Sequence, residues 1–304
     1  MNRSASDTRA ATIRVWALHL AVIAGLYLLQ YLLPSYHHGA MTRIMVLAVF
    51  AMGYNLLFGY VGLLSLGHAL FFAAGIACGA LLALAVGFLA LRTTGVAFMI
   101  VTLMFAQVGY LMALWTADWT GGDEGLTLSQ PERIMEYGPI FIDLTGRDTR
   151  FFFAWLLFSL VLVIILAIAR SPFGRVLVAI RENEERTRML GFDTFANKLA
   201  AVVASGAICA AAGAAYGLLF GYVGASFASI QYSILPLLWV LLGGAATTLG
   251  PLVGTVFMFY VVDVTSSYTS AYLLIVGVAL IVLVLFFPKG VLGTIRERWL
   301  SWLP

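Results

Sequence analysis

Charge is what this sequence most lacks: only 10% of its 304 residues are Asp, Glu, Lys or Arg, against about a quarter in soluble domains. Apolar residues make up 62%, and mean hydropathy is +1.00. That balance excludes a water-soluble globule and leaves no basic surface for nucleic acid. Lysine is almost absent. Lys198 follows Asn197 and Lys289 follows Pro288, whereas a phosphate-binding loop needs Gly-Lys-Ser/Thr so that backbone donors and one lysine can hold the phosphates. No nucleotide site, cofactor or catalytic constellation is therefore expected. Cysteine is equally sparse: Cys78 and Cys209 stand alone in apolar runs, which excludes a disulfide framework and a thiolate metal site. The four histidines, His19, His37, His38 and His68, have no ligand spacing, so no metal is expected.

Long apolar runs fill the remaining sequence. A helix needs about 20 apolar residues to cross the roughly 30 Å of a bilayer core, and such runs occur at 15–33, 43–58, 69–91, 95–115, 151–170, 199–220 and 271–287, with an interrupted stretch at 232–264. The expectation is one all-α polytopic transmembrane bundle over 1–304, with about eight to nine spans and glycine-broken or re-entrant segments. The first run follows Arg3, Arg9 and Arg14 but is too long for a signal-peptide core, and PSYHHG offers no cleavage site.

The few charges are grouped. Residues 117–150 are mainly acidic, 170–198 mainly basic, and the tail adds Lys289, Arg296 and Arg298. The positive-inside bias places 171–198 and the tail in the cytoplasm and 117–150 outside. Counting back through four runs from an external 117–150 puts the N-terminus outside, against its three arginines. Within 171–198, SPFGRVLVAIRENEERTRMLGFD reads as a short helix with Glu182–Arg186 and Glu184–Arg188 pairs at i,i+4, closed by Gly191.

The spacing Glu185-x5-Gly191 is similar to the E-A-A-x3-G coupling loop of ABC importer permeases. With GYVGLLSLGHALFFAAG (59–75), TGGDEGL (120–126), AIRENEERTRMLGFD followed by NKLAAVVASGAICAAAGAAYG (179–217), GGAATTLGPLVG (243–254) and PKGVLG (288–293), the chain resembles the LivM-type permease of branched-chain amino acid ABC importers. Arg186 and Thr187 stand where the coupling motif has alanines. The family usually has a further apolar stretch before the segment matching 84–103. Here ALLALAVGFLALRTTG runs straight through, which reads as a deleted crossing and would explain the parity mismatch.

The resemblance implies a bacterial inner-membrane subunit that forms a path for a small polar solute. Branched-chain amino acids are the usual cargo, and urea or short amides are also carried by relatives. It implies separate ABC ATPase subunits, a sister permease, a periplasmic or extracellular solute-binding protein and a surrounding lipid bilayer. The coupling residues would be Arg181, Glu182, Glu184, Glu185, Arg186, Arg188 and Gly191.

Glycine clusters mark where a membrane helix exposes backbone, which is tolerated only facing protein or a watery cavity. Candidate pathway residues are Gly59, Tyr60, Gly62, Ser65, Gly67, His68 and Gln107 in the first half. In the second half they are Gly221, Tyr222, Gly224, Ser226, Gly243, Gly244, Thr247, Thr248 and Gly250. Gly75 and Gly79 read instead as small-residue packing positions. The word LLFGYVG occurs at 56–62 and again at 218–224, but the flanking residues diverge, so chance repetition competes with duplication. A self-sufficient secondary transporter with inverted repeats is the alternative. It would need an intramembrane ion site, and only Asp263, near a boundary, is acidic within a run. A potassium-type filter would read TVGYG, not GYVG.

Overall fold

The computed structural model describes residues 5–137, 140–269, 271, 274, 277, 278, 281, 282, 285–287 and 289–298. The expected span at 271–287 lies largely outside those residues. The described chain is helical, as the composition requires: α1 (Ala5–Leu32), α2 (Ser35–Asn55), α3 (His68–Ala74), α4 (Ile76–Ala90), α5 (Val96–Trp115), α6 (Ala117–Thr120), α7 (Arg147–Arg170), α8 (Pro172–Glu182), α9 (Glu184–Met189), α10 (Thr194–Phe220), α11 (Ile230–Gly243), α12 (Gly250–Tyr268) and α13 (Val291–Arg298). Six of these segments are long and apolar enough to span a bilayer, while α4 and α11 are shorter.

Two helices form the centre. From Ile44 to Leu57, α2 is buried on every side, the pattern of a helix enclosed by others. It runs antiparallel to α10: Ser205 Oγ donates to the Gly53 carbonyl at 2.6 Å, and Cys209 lies against the Phe50 carbonyl. Small residues allow this approach, since helices in lipid gain from close backbone packing rather than from hydrophobic exclusion. Gly53 abuts Cys209, Gly79 abuts Ala210, Gly206 abuts Ala83 and Gly213 meets the Phe72 carbonyl, with no room for a Cβ at any of them. Gly79 thus has the packing role expected of it.

Gly75 does not, and it resolves the parity mismatch. The run 69–91 is two helices that reverse at Gly75, where φ is +70° and ψ is 171°, a region open essentially to glycine alone. His68 contacts Ser205 midway along α10 and Phe72 contacts Gly213 further on, so α3 climbs α10. Gly79 at Ala210 and Phe88 at Phe195 show α4 descending it. The chain therefore alternates without an additional crossing. Contacts fix the two ends of the bundle: Arg170 donates to the Thr12 carbonyl and hydroxyl, placing the start of α1 beside the end of α7 and thus beside α8. Arg147 donates to Ser35 at the opposite end. The N-terminal helix begins on the α8–α9 side, as its arginines argue.

The 117–150 connector carries short strands. Strand β1 (Leu126–Thr127) pairs with β4 (Tyr222–Val223), and β2 (Ile134–Tyr137) forms a hairpin with β3 (Ile140–Asp143). Arg133 donates to the carbonyls of Leu218, Leu219 and Leu144, satisfying acceptors that the last turn of α10 leaves unpaired.

Candidate translocation path and coupling site

The first LLFGYVG is not an ordinary helix end. Leu56–Val61 is a π-helical turn closed by Gly62 at φ +79°, a rare geometry that widens the backbone and frees carbonyls. Asn55 locks it to the second half of the chain: its amide nitrogen donates to the Thr247 carbonyl at 2.9 Å, and its oxygen accepts from the Ala246 N–H at 3.0 Å. Ala246 has φ +59°, the only non-glycine with positive φ among the described residues. Gly59 sits so close to Asn55 and Ala246 that a Cβ would collide with both. Two broken helices thus meet at one amide.

Helix α8 reaches that junction. Arg181 of α8 donates to the Gly59 carbonyl at 2.6 Å, its stem packs on Gly62, and its other nitrogen pairs with Glu182 at 2.9 Å. Arg296 of α13 donates to the Ala246 carbonyl at 3.1 Å, and Lys289 pairs with Glu297. These groups line a polar cavity of about 330 Å³. Tyr60 is buried, its hydroxyl unpaired among the described residues. Thr248 binds His19 at 2.6 Å. His19 Nδ1 donates to the Val15 carbonyl, so Nε2 accepts the threonine proton. Thr247 donates to the Gly244 carbonyl, while Gly243 and Gly250 bring the backbones of α11 and α12 together.

Ser65, Gly67 and His68 lie deeper, at the start of α3. His68 Nε2 is 2.8 Å from Ser205 Oγ and Nδ1 is 3.1 Å from Ser65 Oγ. The single Ser205 proton is already given to Gly53, so Nε2 carries a proton and Nδ1 accepts from Ser65. The Ser65 oxygen also receives the Gly67 N–H, and Thr102 Oγ1 receives the Leu66 N–H at 3.2 Å. The Ala69 N–H of α3 donates to Ser233 Oγ of α11 at 3.0 Å. Both ring nitrogens of His68 are bonded in this network, which holds it as a neutral ring.

The second LLFGYVG lies at the other end of the bundle. Gly221 closes α10 at φ +71° beside Arg133, and Tyr222 and Gly224 belong to the β1–β4 connection. The words do not face one cavity, but spacing ties each of them to the helix that follows. They are 162 positions apart, and the short helices after them, α3 from His68 and α11 from Ile230, start the same 162 positions apart. Each word ends one of the two central antiparallel helices, so the halves share one plan in opposite orientation. Ser226 is exposed in a 3₁₀ turn, and Gln107, on α5, makes no hydrogen bond to another described residue. Neither joins the polar junctions.

The charged loop is two helices rather than one, divided at Asn183, whose side chain caps α9 by accepting from Arg186 N–H at 2.8 Å. Glu182 pairs with adjacent Arg181, not with Arg186. Glu184 does meet Arg188 at 3.6 Å, but its nearer partner is Lys198 of α10 at 2.6 Å. Partial burial raises the Glu184 carboxyl, yet bonds from Lys198 and Thr194 outweigh that and hold it below its ordinary value. Gly191, at φ +89°, ends the unit as expected. Glu185, Arg186 and Arg188 are exposed, beside bare Met189, Leu190 and Phe192.

Sequence reasoning alone does not single out Asn55, Ser205, Ser233 or Thr102. Asn55 carries a signal, an amide inside an apolar run directly before the repeated word. The hydroxyls carry none, because a lone serine or threonine in a membrane helix usually bonds its own backbone.

Comparisons with known proteins bear on the chain as a whole. The family model described as branched-chain amino acid transport system / permease component matches residues 70–285. The high-affinity branched-chain amino acid transport system permease protein LivM of Salmonella typhimurium is 27% identical over 299 residues, covering 84% of this chain and 70% of that protein. LivM of Escherichia coli gives the same figures. A probable branched-chain amino acid permease of Methanocaldococcus jannaschii is 28% identical over 159 residues, 51% of this chain and 44% of its own. No solved structure matches.

Proposed function

The chain belongs to the branched-chain amino acid transport system permease family, and from that premise we propose that it is the membrane subunit of an ABC importer for branched-chain amino acids. It is a multi-pass membrane protein. Its path would be built from the junction of the two broken helices, and its energy would come from separate ATPase subunits docked on α8–α9. The observation that carries this reading is the Arg181–Gly59 bond, a direct link from the exposed charged helix to the broken backbone. The bare Met189, Leu190 and Phe192 beside Glu185 and Arg186 offer the mixed apolar and charged surface that a docking partner needs. With α8–α9 facing the cytoplasm of a bacterial inner membrane, the 117–146 connector faces the side from which a binding protein delivers solute and a sister permease completes the path.

The inverted plan of the two halves also favours a second reading, a secondary transporter, since such repeats are its signature. One experiment separates them. Proteoliposomes holding the chain with its cognate ATPases, sister permease and binding protein are expected to take up leucine only when supplied with ATP. Uptake by the chain alone under an ion gradient would replace the importer reading by the carrier.

A further inference from the structure

Arg43 is an anomaly in α2. Its neighbours Thr42 and Ile44 are buried at 3% and 0% exposure, yet Arg43 is exposed. It lies eight residues past Ser35, about 12 Å along the helix from the connector end. A charge at that depth is costly against hydrocarbon, and such groups face a watery path or a partner. The Arg43 side chain makes no hydrogen bond or ion pair to another described residue. Its guanidinium stacks instead on Phe220 and Tyr216 of α10, 5.0 and 6.0 Å from the ring centroids. Stacking occupies the flat face and leaves the N–H edge free, the edge that pairs with a carboxylate through two parallel bonds.

The surroundings suit a ligand. Gly39, one turn nearer the connector end, is exposed with open space above it. The rings continue inward from Tyr216 to Phe227 at 5.4 Å, Phe227 to Tyr232 at 4.9 Å and Tyr232 to Phe72 at 5.8 Å. Phe72 is one turn above His68 on α3. An unpaired guanidinium edge at the head of an aromatic wall fits a molecule with a carboxylate at one end and an apolar body at the other. Tyr36, Gly39 and Arg43 recur on one exposed face of α2, and on the importer reading, in which a sister permease completes the path, that face would line it.

We propose that Arg43 binds the α-carboxylate of the transported amino acid, with the half-buried Tyr216 and Tyr232 receiving its side chain. This rests on the importer reading and adds the group that recognises the solute. The test measures leucine binding to the assembled complex without its binding protein, which would otherwise impose its own preference, with leucinamide, which lacks the carboxylate, as the competing ligand. Wild type should prefer leucine. R43Q should raise the Kd for leucine about 10-fold or more, the loss of one charge-assisted pair, and abolish the preference over leucinamide. R43K, which keeps the charge but loses the two-pronged edge, should fall between them and covers the case in which R43Q does not assemble. An unchanged preference in R43Q, or an unchanged leucine Kd in R43K when R43Q does not assemble, would overturn the assignment. A wild-type complex that imports no amino acid would instead overturn the importer reading.

Discussion

Arg181 Nη1 lies 2.6 Å from the carbonyl oxygen of Gly59, 122 positions earlier in the chain. The bond joins an amphipathic surface helix to the point where a central membrane helix loses its regular hydrogen bonding. A π-helical turn has carbonyls to offer, and a guanidinium is the side chain able to reach one while its stem covers Gly62. Gly59 in turn abuts Asn55 and Ala246, so the bond connects α8 to that junction.

Glycine is required at Gly59 and Gly75 for different reasons. A Cβ at Gly59 meets Asn55 and Ala246, so Gly59→Ala should destabilise the fold by about 2–4 kcal/mol, as overpacking and loss of a buried amide bond combine. Gly75 has open space around it but a backbone only glycine adopts easily. Gly75→Ala should lose about 1–3 kcal/mol through strain alone. Thermal unfolding of the detergent-solubilised variants should rank Gly59→Ala below Gly75→Ala, and equal midpoints would refute the distinction.

Ser205 is predicted to hold His68 in a single tautomer. Removing its hydroxyl in Ser205→Ala leaves a buried N–H without a partner, a loss of about 1–3 kcal/mol. Nitrogen chemical shifts of labelled histidine should show His68 protonated at Nε2 in the wild type. Protonation at Nδ1 would contradict the network.

Acid should loosen the α9–α10 contact. The Glu184 carboxyl is held below its ordinary value of 4.5, so its contribution is fully present above that pH and fades as pH falls through the lower folded-state value. Its buried partner Lys198, 6% exposed, makes Glu184→Gln costly at neutral pH, by about 2 kcal/mol for a bond between charged groups. Hydrogen exchange of the first turn of α10 should rise below about pH 4.5 in the wild type and be pH-independent there in Glu184→Gln, apart from intrinsic exchange.

Sidedness follows from the Arg170–Thr12 and Arg147–Ser35 contacts. In a background with Cys78 and Cys209 replaced, single cysteines at Thr12 and Glu185 should react with an impermeant thiol reagent from one side of the membrane. A cysteine at Glu124 should react only from the other. Labelling of Thr12 and Glu124 positions from the same side would break the assigned course of α1 to α5.

Much of this was legible in the sequence, because apolar runs of spanning length and grouped charges report directly on helices and ends. The glycine clusters at 59–67, 221–224 and 243–254 each contain a helix end, at Gly62, Gly221 and Gly244. Hydropathy does not record direction. The run 69–91 is uniformly apolar across Gly75, so two opposed helices read as one span and the parity count failed. Pairing distant in sequence was equally hidden. Nothing local to Glu184 favours Lys198 over Arg188, and Arg181 reads as a solvated charge until Gly59 is placed beneath it. The repeated word was visible, but only the equal spacing of the helices after it gave it meaning.

The most direct measurement is the ratio of leucine imported to ATP hydrolysed by the reconstituted complex carrying Arg181→Met. This variant keeps the stem that covers Gly62 and removes the donor to Gly59. If α8 drives the broken helix through that bond, the assembled complex should go on hydrolysing ATP while import per ATP falls about 10-fold or more. Import per ATP equal to that of the wild type, in an assembled and hydrolysing complex, would contradict the account.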